Sequence, residues 1–197
     1  MYVDKTGVAN VANVALTGNA TSYAGGGVFV DGEATFTNAT FADNTATLGA
    51  GANVGTDGVA TFRNSILADA VRAKGTLNAY NVLSGFTAWT NADETGAVNF
   101  VYDASQPLFV DAANGDYRLA DGSQALDKGN AEYAVDADGA ALTTDLAGNA
   151  RVVGSSVDLG AYESQAEPVS AAFADAFDEL DFFVDEDDLD ALAKRLL

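Results

Sequence analysis

Three segments of this chain repeat one pattern. Aligned on Asn13, Asn38 and Asn64, which stand 25 and 26 residues apart, they carry matching residue types in column after column. Two positions earlier stand Val11, Phe36 and Phe62; three positions later stand Leu16, Phe41 and Leu67. Gly7, Gly32 and Gly58 form a further column, and Asn19, Asn44 and Ala70 another. A repeat of this kind restricts the chain to architectures in which each unit packs on the next.

The composition of the repeat selects strands over helices. Short stretches such as Ala34-Thr35-Phe36-Thr37 alternate apolar with polar and are rich in Val, Thr and Phe. Gly and Asn punctuate them where turns need positive φ. No window between Gly7 and Ala70 sustains a helical apolar face. The expected fold is therefore all-β, a right-handed parallel β-helix or solenoid, with about three short strands in each rung. Parallel pairing between rungs, about 4.8 Å apart, turns the columns into stacks. Val11, Phe36 and Phe62 would make one inward ladder, and Leu16, Phe41 and Leu67 a second. Asn13, Asn38 and Asn64 would make an amide ladder at a turn, each side chain bonding the next above and below.

Charge and composition narrow the function. With 29 acidic and 9 basic residues the net charge is −20. That balance opposes binding to nucleic-acid phosphates or to an anionic membrane surface. There is no Cys, so no disulfide or thiolate metal site forms, and no His, the commonest general base and metal ligand. No apolar run approaches the roughly 18 residues of a membrane span.

From Asn64 onward the chain carries a more specific series. Asn64-Ser65-Ile66-Leu67-Ala68 resembles a strand that recurs in bacterial β-helix surface proteins. It is followed by Gln106-Pro107-Leu108-Phe109-Val110, Gly115-Asp116-Tyr117-Arg118-Leu119 and Gly122-Ser123-Gln124-Ala125-Leu126-Asp127-Lys128-Gly129. Asp145-Leu146-Ala147-Gly148-Asn149-Ala150-Arg151 and Asp158-Leu159-Gly160-Ala161-Tyr162-Glu163 complete it. In this order the motifs resemble the closing module of the choice-of-anchor Q group of β-helix repeat proteins. Gly25-Gly26-Gly27-Val28 and Phe41-Ala42-Asp43-Asn44 are similar to repeats of polymorphic outer-membrane proteins. Gln124 and Ala150 depart from the group, which usually has Pro at both places. The resemblance implies a secreted or cell-surface bacterial protein, adhesin-like, with glycans or surface proteins as partners and further rungs upstream. Arg118, Asp127, Asp145, Arg151 and Asp158 fall inside the group's motifs and are expected to form ion pairs and turn caps tying the return loops to the final rung.

Three regions are expected: regular rungs over 1–74, irregular terminal rungs and a closing module over 75–163, and an acidic helical tail over 164–197. In the tail Phe173, Phe177 and Leu180 fall on one helical face, and Leu189, Leu192 and Leu196 suggest a second helix. Within the middle region Phe86 and Trp89 are candidates for stacking on a sugar. Calcium is the cofactor considered. Asp136-Ala137-Asp138-Gly139 starts like a calcium loop, although it lacks the closing Glu at position twelve. Asp31 and Asp57, in one expected column, form a second candidate pair. Catalysis is not expected and no catalytic residue is assigned. Glycoside hydrolysis needs two carboxylates about 5–9 Å apart. Lyase chemistry needs a basic side chain beside calcium, and Arg63 is the one strand cation expected in the regular rungs. A non-catalytic scaffold or display module is the first reading. The C-terminal part of a carbohydrate-active β-helix enzyme is the alternative. An unbroken face of Thr, Asn and Ala would favour the first, and a carboxylate column in a groove the second.

Overall fold

The computed structural model describes residues 1–86 and 98–165 and shows an all-β protein dominated by parallel sheets. The first sheet holds short strands in the order β1 (Tyr2–Val3), β3 (Val28–Val30), β5 (Ala52–Val54) and β7 (Val71–Ala73). The second holds β2 (Val8–Thr17), β4 (Glu33–Ala42), β6 (Val59–Leu67), β8 (Thr76–Ser84) and β9 (Asn99–Val101). All neighbours in both sheets are parallel. The chain thus passes alternately through the two sheets, advancing one strand along each per circuit.

Each of the four long strands is interrupted by one asparagine in the left-handed region. The φ values are 48° at Asn13, 50° at Asn38, 46° at Asn64 and 54° at Asn81. Asn tolerates this conformation better than most residues, and one such residue redirects an extended chain. A circuit therefore offers three strand segments separated by turns. Ahead of the corner Ala34 and Phe36 face inward while Thr35 and Thr37 face outward. Beyond it Ala39 and Phe41 face inward while Thr40 faces outward, as a period of two requires.

The inward columns build the main core. Val11 pairs in register with Phe36 and Phe36 with Phe62; Leu16 pairs with Phe41 and Phe41 with Leu67. The Phe36 and Phe62 rings stack 5.3 Å apart, and Phe41 meets both edge-on at 5.2 and 5.6 Å. Ring volume does not simply continue along the stack. Phe62 is followed by Ala79, but the adjacent column passes from Ala60 to Leu77, so interior volume is redistributed.

The repeat length is not constant. Asn13 and Asn38 are 25 residues apart, whereas Thr61 and its partner Asn78 are separated by only 17. β8 and β9, in the region where irregular terminal rungs are expected, continue the second sheet to Val101. The strands keep their lengths; the loop after the third segment shrinks. It spans 18–27 in the first circuit, 43–51 in the second and 68–70 in the third. The opposite turn alternates between a longer form, between Val3 and Val8 or Val54 and Val59, and a tighter one at Val30–Glu33 and Ala73–Thr76. The tight turns nest against the longer ones. A Cβ on Gly32 would strike the carbonyls of Asp4 and Gly7, and one on Gly75 those of Gly55 and Gly58.

Residues 102–165 add an antiparallel hairpin, β10 (Phe109–Asp111) with β11 (Asp116–Leu119), followed by turns and isolated bridges. This segment builds a second apolar cluster outside the first. Leu108, Leu119, Ala125 and Leu159 pack on Ile66 and Leu83, which face outward beyond the asparagine corner. The segment was expected to tie onto the final rung; it lies instead along the side of the stack, reaching every circuit. Thr144 O accepts from Asn13 Nδ2 at 2.7 Å, Ala161 N donates to Thr40 Oγ1 at 3.0 Å, and Lys128 O accepts from Asn81 Nδ2 at 2.8 Å. Gly160, with φ of 92°, crosses so closely that a Cβ would lie 2.7 Å from both Ile66 Cδ1 and Thr40 Oγ1. Trp89 and the acidic tail beyond Gln165, with its expected helices, lie outside the described residues.

Candidate functional site

The asparagine corner divides its bonds between neighbouring circuits and the segment that crosses it. Asn38 Nδ2 donates to Asn13 Oδ1 at 3.3 Å, as an amide ladder requires. The expected continuation to Asn64 is corrected. Asn64 Nδ2 donates to Asn130 O and its Oδ1 accepts from Asn130 N, both at 2.8 Å, leaving Asn38 Oδ1 buried without a partner. The main-chain groups of a crossing loop thus displace one rung-to-rung bond. A second polar column runs parallel to it. Asn19 N and Nδ2 donate to Asn44 Oδ1, and Asn44 N and Nδ2 donate to Asp69 Oδ2. Asp69, rather than Ala70, completes that column because the shortened loop leaves the sheet one residue sooner. Burial raises the Asp69 carboxyl above its usual range, against the opposing pull of the bonds from Asn44.

The crossing segment is organised around Arg151, which is fully buried. Its guanidinium donates to Asp158 O at 2.9 Å and Gly160 O at 3.1 Å, and pairs with Glu163 Oε2 at 3.0 Å. Three buried carboxylates then cap turns. Glu163 accepts from Asp158 N and Val153 N, Asp158 from Asp127 N and Ser164 N, and Asp145 from Asn149 N and Glu163 N. Burial pushes the Glu163 carboxyl up to about 7, raises Asp158 and lowers Arg151. All three shifts disfavour the charged form, so desolvation outweighs the ion pair. Asp127 receives Ser156 N and the Ser155 hydroxyl. Arg118 stands apart, exposed and paired with Asp116 two residues away.

The two candidate cation positions are occupied by other contacts. Asp136 Oδ1 caps its own turn, accepting from Asp138 N and Ala140 N at 2.9 Å. The expected column of Asp31 with Asp57 does not form, because a tight turn follows Val30 and a longer one follows Val54. Asp31 stands over Gly55, while Asp57 pairs with Lys5 at 2.8 Å. Among the described residues no group of three or more acidic side chains is arranged to hold a metal ion.

The outer face of the segments ahead of the corner carries Asn10 and Ala12, then Thr35 and Thr37, Thr61 and Arg63, and finally Asn78 and Tyr80. A loop of the crossing segment rises beside it, fixed by the bridge between Val135 and Ala141 and by the Tyr80–Tyr133 ring contact at 5.4 Å. Between face and loop lies a cleft of about 450 Å³ lined by Thr35, Thr37, Arg63 and Asp136. Hydroxyls, amides and one guanidinium can hold a polar ligand by hydrogen bonds. Asp136 is the carboxylate that lines this cleft, and both bonds to its Oδ1 are internal to its turn. Phe86, the other aromatic candidate, packs partly buried against the inner core.

Two parallel sheets threaded in alternation, with an irregular segment along their side, place the chain among all-β proteins with repeated strands. No protein-family model, curated protein or solved structure matches the chain.

Proposed function

We propose that the chain is a right-handed parallel β-helix from a secreted or cell-surface bacterial protein and acts as a non-catalytic scaffold or display module. Handedness follows from the crossover rule: strand-to-parallel-strand connections are right-handed in about 98% of cases. The membership proposed is the choice-of-anchor Q group, on the motif series from Asn64 to Glu163. The observation that carries the functional reading is the outer strand face. It presents Asn, Ala and Thr with Arg63 as its cation and Tyr80 at its end, and the adjoining cleft offers one carboxylate where glycoside hydrolysis needs two.

The test is incubation of the purified chain with a panel of polysaccharides, with and without calcium, followed by assays for binding and for new reducing or unsaturated ends. Binding, where found, should come without product. Release of oligosaccharides would overturn the scaffold reading and turn the search to a carbohydrate-active enzyme.

A further inference from the structure

Among the described residues every arginine but one has a side-chain partner. Arg72 Nη1 donates to Asn53 Oδ1 at 3.2 Å, Arg118 pairs with Asp116 and Arg151 pairs with Glu163. The Arg63 guanidinium bonds to no described residue, although it lies half-buried in a cleft of about 450 Å³. In a chain with 29 acidic residues, a guanidinium without a carboxylate is free to take one from outside. Thr37, its partner in register, makes the same point. It is 3% exposed and lines the cleft, and no described residue bonds its hydroxyl. A hydroxyl buried to that extent ordinarily has a partner, and here the cleft is where one can enter.

Both residues stand inside the stack. Thr37 is on β4, flanked by β2 and β6, and Arg63 on β6, flanked by β4 and β8. A further strand beside β2 would lengthen this face in its own plane rather than cover it. The wall of the cleft is already ordered. Asp136 N donates to Ala140 O and Leu142 N to Ala134 O, both at 2.9 Å, and Asp136 Oδ1 caps the turn between them. Little ordering therefore remains to be done on binding. Asp136 Oδ2 receives no bond from a described residue and, as a carboxylate oxygen, can only accept.

These groups define the chemistry of a ligand. The guanidinium fork matches one carboxylate, which it can hold by two parallel bonds. The Thr35 and Thr37 hydroxyls can donate or accept, and Asp136 can only accept, so hydroxyl groups on the ligand satisfy all three. Asp136 also repels a second negative charge, which disfavours phosphates and dicarboxylates. We propose that the Arg63 cleft binds a monocarboxylate bearing hydroxyl groups, supplied as a free hydroxy acid or as a uronate unit of a polysaccharide. This names the ligand of the cleft that carries the display reading, and it rests on that reading in one respect, that the ligand leaves unchanged.

The experiment is an NMR titration of the full chain that follows the arginine Nε–H resonances, assigned by substitution. Salt is kept near 0.15 M, where the field of distant carboxylates is screened within about 8 Å. Gluconate, galacturonate and oligogalacturonides are the test ligands, with glucose and tartrate as the neutral and doubly charged comparators. Gluconate or a galacturonate form should shift the Arg63 signal, while glucose and tartrate should not, and the paired Arg118 should stay still. R63Q should weaken binding at least tenfold and T37V about threefold to fivefold, the worth of a charged and a neutral hydrogen bond. Circular dichroism should match the parent for both, since neither change alters an inward column. Tighter binding of the oligomer than of the monomer assigns the carboxylate to a polysaccharide, and the reverse order assigns it to a free acid. The proposal fails if no acid shifts Arg63, if glucose or tartrate shifts it equally, or if R63Q or T37V binds as the parent does. A new product in the recovered ligand would overturn the non-catalytic reading, and the Arg63 shift would still decide the cleft.

Discussion

The stacked circuits and the segment laid along their side are held by different physics. In the circuits, residues at matching positions meet one another, and each apolar column spreads its contribution over several turns of chain. Phe36, Phe41 and Phe62 form one cluster in which every ring touches the other two. The side segment has no such redundancy. Besides its one apolar cluster on Ile66 and Leu83, it depends on one buried guanidinium, three buried carboxylates used as turn caps and a glycine crossing. Repetition makes stability local and additive, while an irregular segment concentrates it at a few groups.

The strongest way to break that contrast is a matched pair of substitutions. F62A empties the centre of the inner core and should cost about 3–5 kcal/mol. R151M strands Glu163 and Asp158 as buried charges and should also cost about 3–5 kcal/mol. Hydrogen exchange separates the two. F62A should lower protection throughout the neighbouring circuits, whereas R151M should release residues 102–165 and leave the inner strands protected. Equal loss in both regions for both variants would show that circuits and segment unfold as one unit.

A second probe uses pH. Glu163 carries a folded-state pKa near 7, raised by burial from 4.5, and Asp158 shifts in the same direction. Between those values the folded chain binds more protons at these groups than the unfolded chain does. The Glu163 contribution to stability is therefore fully present below pH 4.5 and is lost as pH rises through about 7, and Asp158 acts in the same direction. Urea unfolding monitored in the side segment should show that fall, and E163Q should flatten it. An unchanged slope in E163Q would move the titration to another group.

The smallest expected effects sharpen the contrast at the corner itself. Asn38 and Asn64 share a backbone conformation, with φ of 50° and 46°, which glycine also adopts freely. N38G removes one amide bond to Asn13 and relieves a buried unpaired oxygen, so it should cost under about 1 kcal/mol. N64G removes both bonds to Asn130 and leaves that main chain unpaired, so about 1–3 kcal/mol is expected. Denaturation midpoints that rank them the other way would mean that the amide column matters more than the crossing.

The first three circuits are legible in the sequence because their period is nearly constant and their columns hold chemically similar residues. The fourth is harder to read because an alignment at 25 residues runs past it. Two signals for it exist: the alternation of Leu77-Asn78-Ala79-Tyr80, and Asn81 followed by Val82 and Leu83 as Asn64 is by Ser65 and Ile66. In the side segment Asp145, Arg151 and Asp158 are identifiable as structural, but Glu163 as the partner of Arg151 is not. Nor is the direction in which the segment packs. No periodicity relates it to the stack, and its contacts with Asn13, Asn64 and Asn81 are mostly made by main-chain atoms, which carry no sequence label. The cleft beside the outer face escapes notice for a similar reason: Arg63 and Asp136 occupy different elements and meet only through folding.

The loop that follows the third strand segment has a consequence for how such a chain can change over generations. It passes from 18–27 to 43–51 to 68–70 without shifting an inward column. Changes of length at that corner leave the inward columns in register, whereas the turn at the opposite edge keeps to two lengths. One edge of the molecule is therefore open to insertion and deletion while the opposite edge alternates between two fixed turns. The loop over 18–27 lies on the open edge, where lineages facing different surroundings can exchange one surface for another without rebuilding the strands that support it.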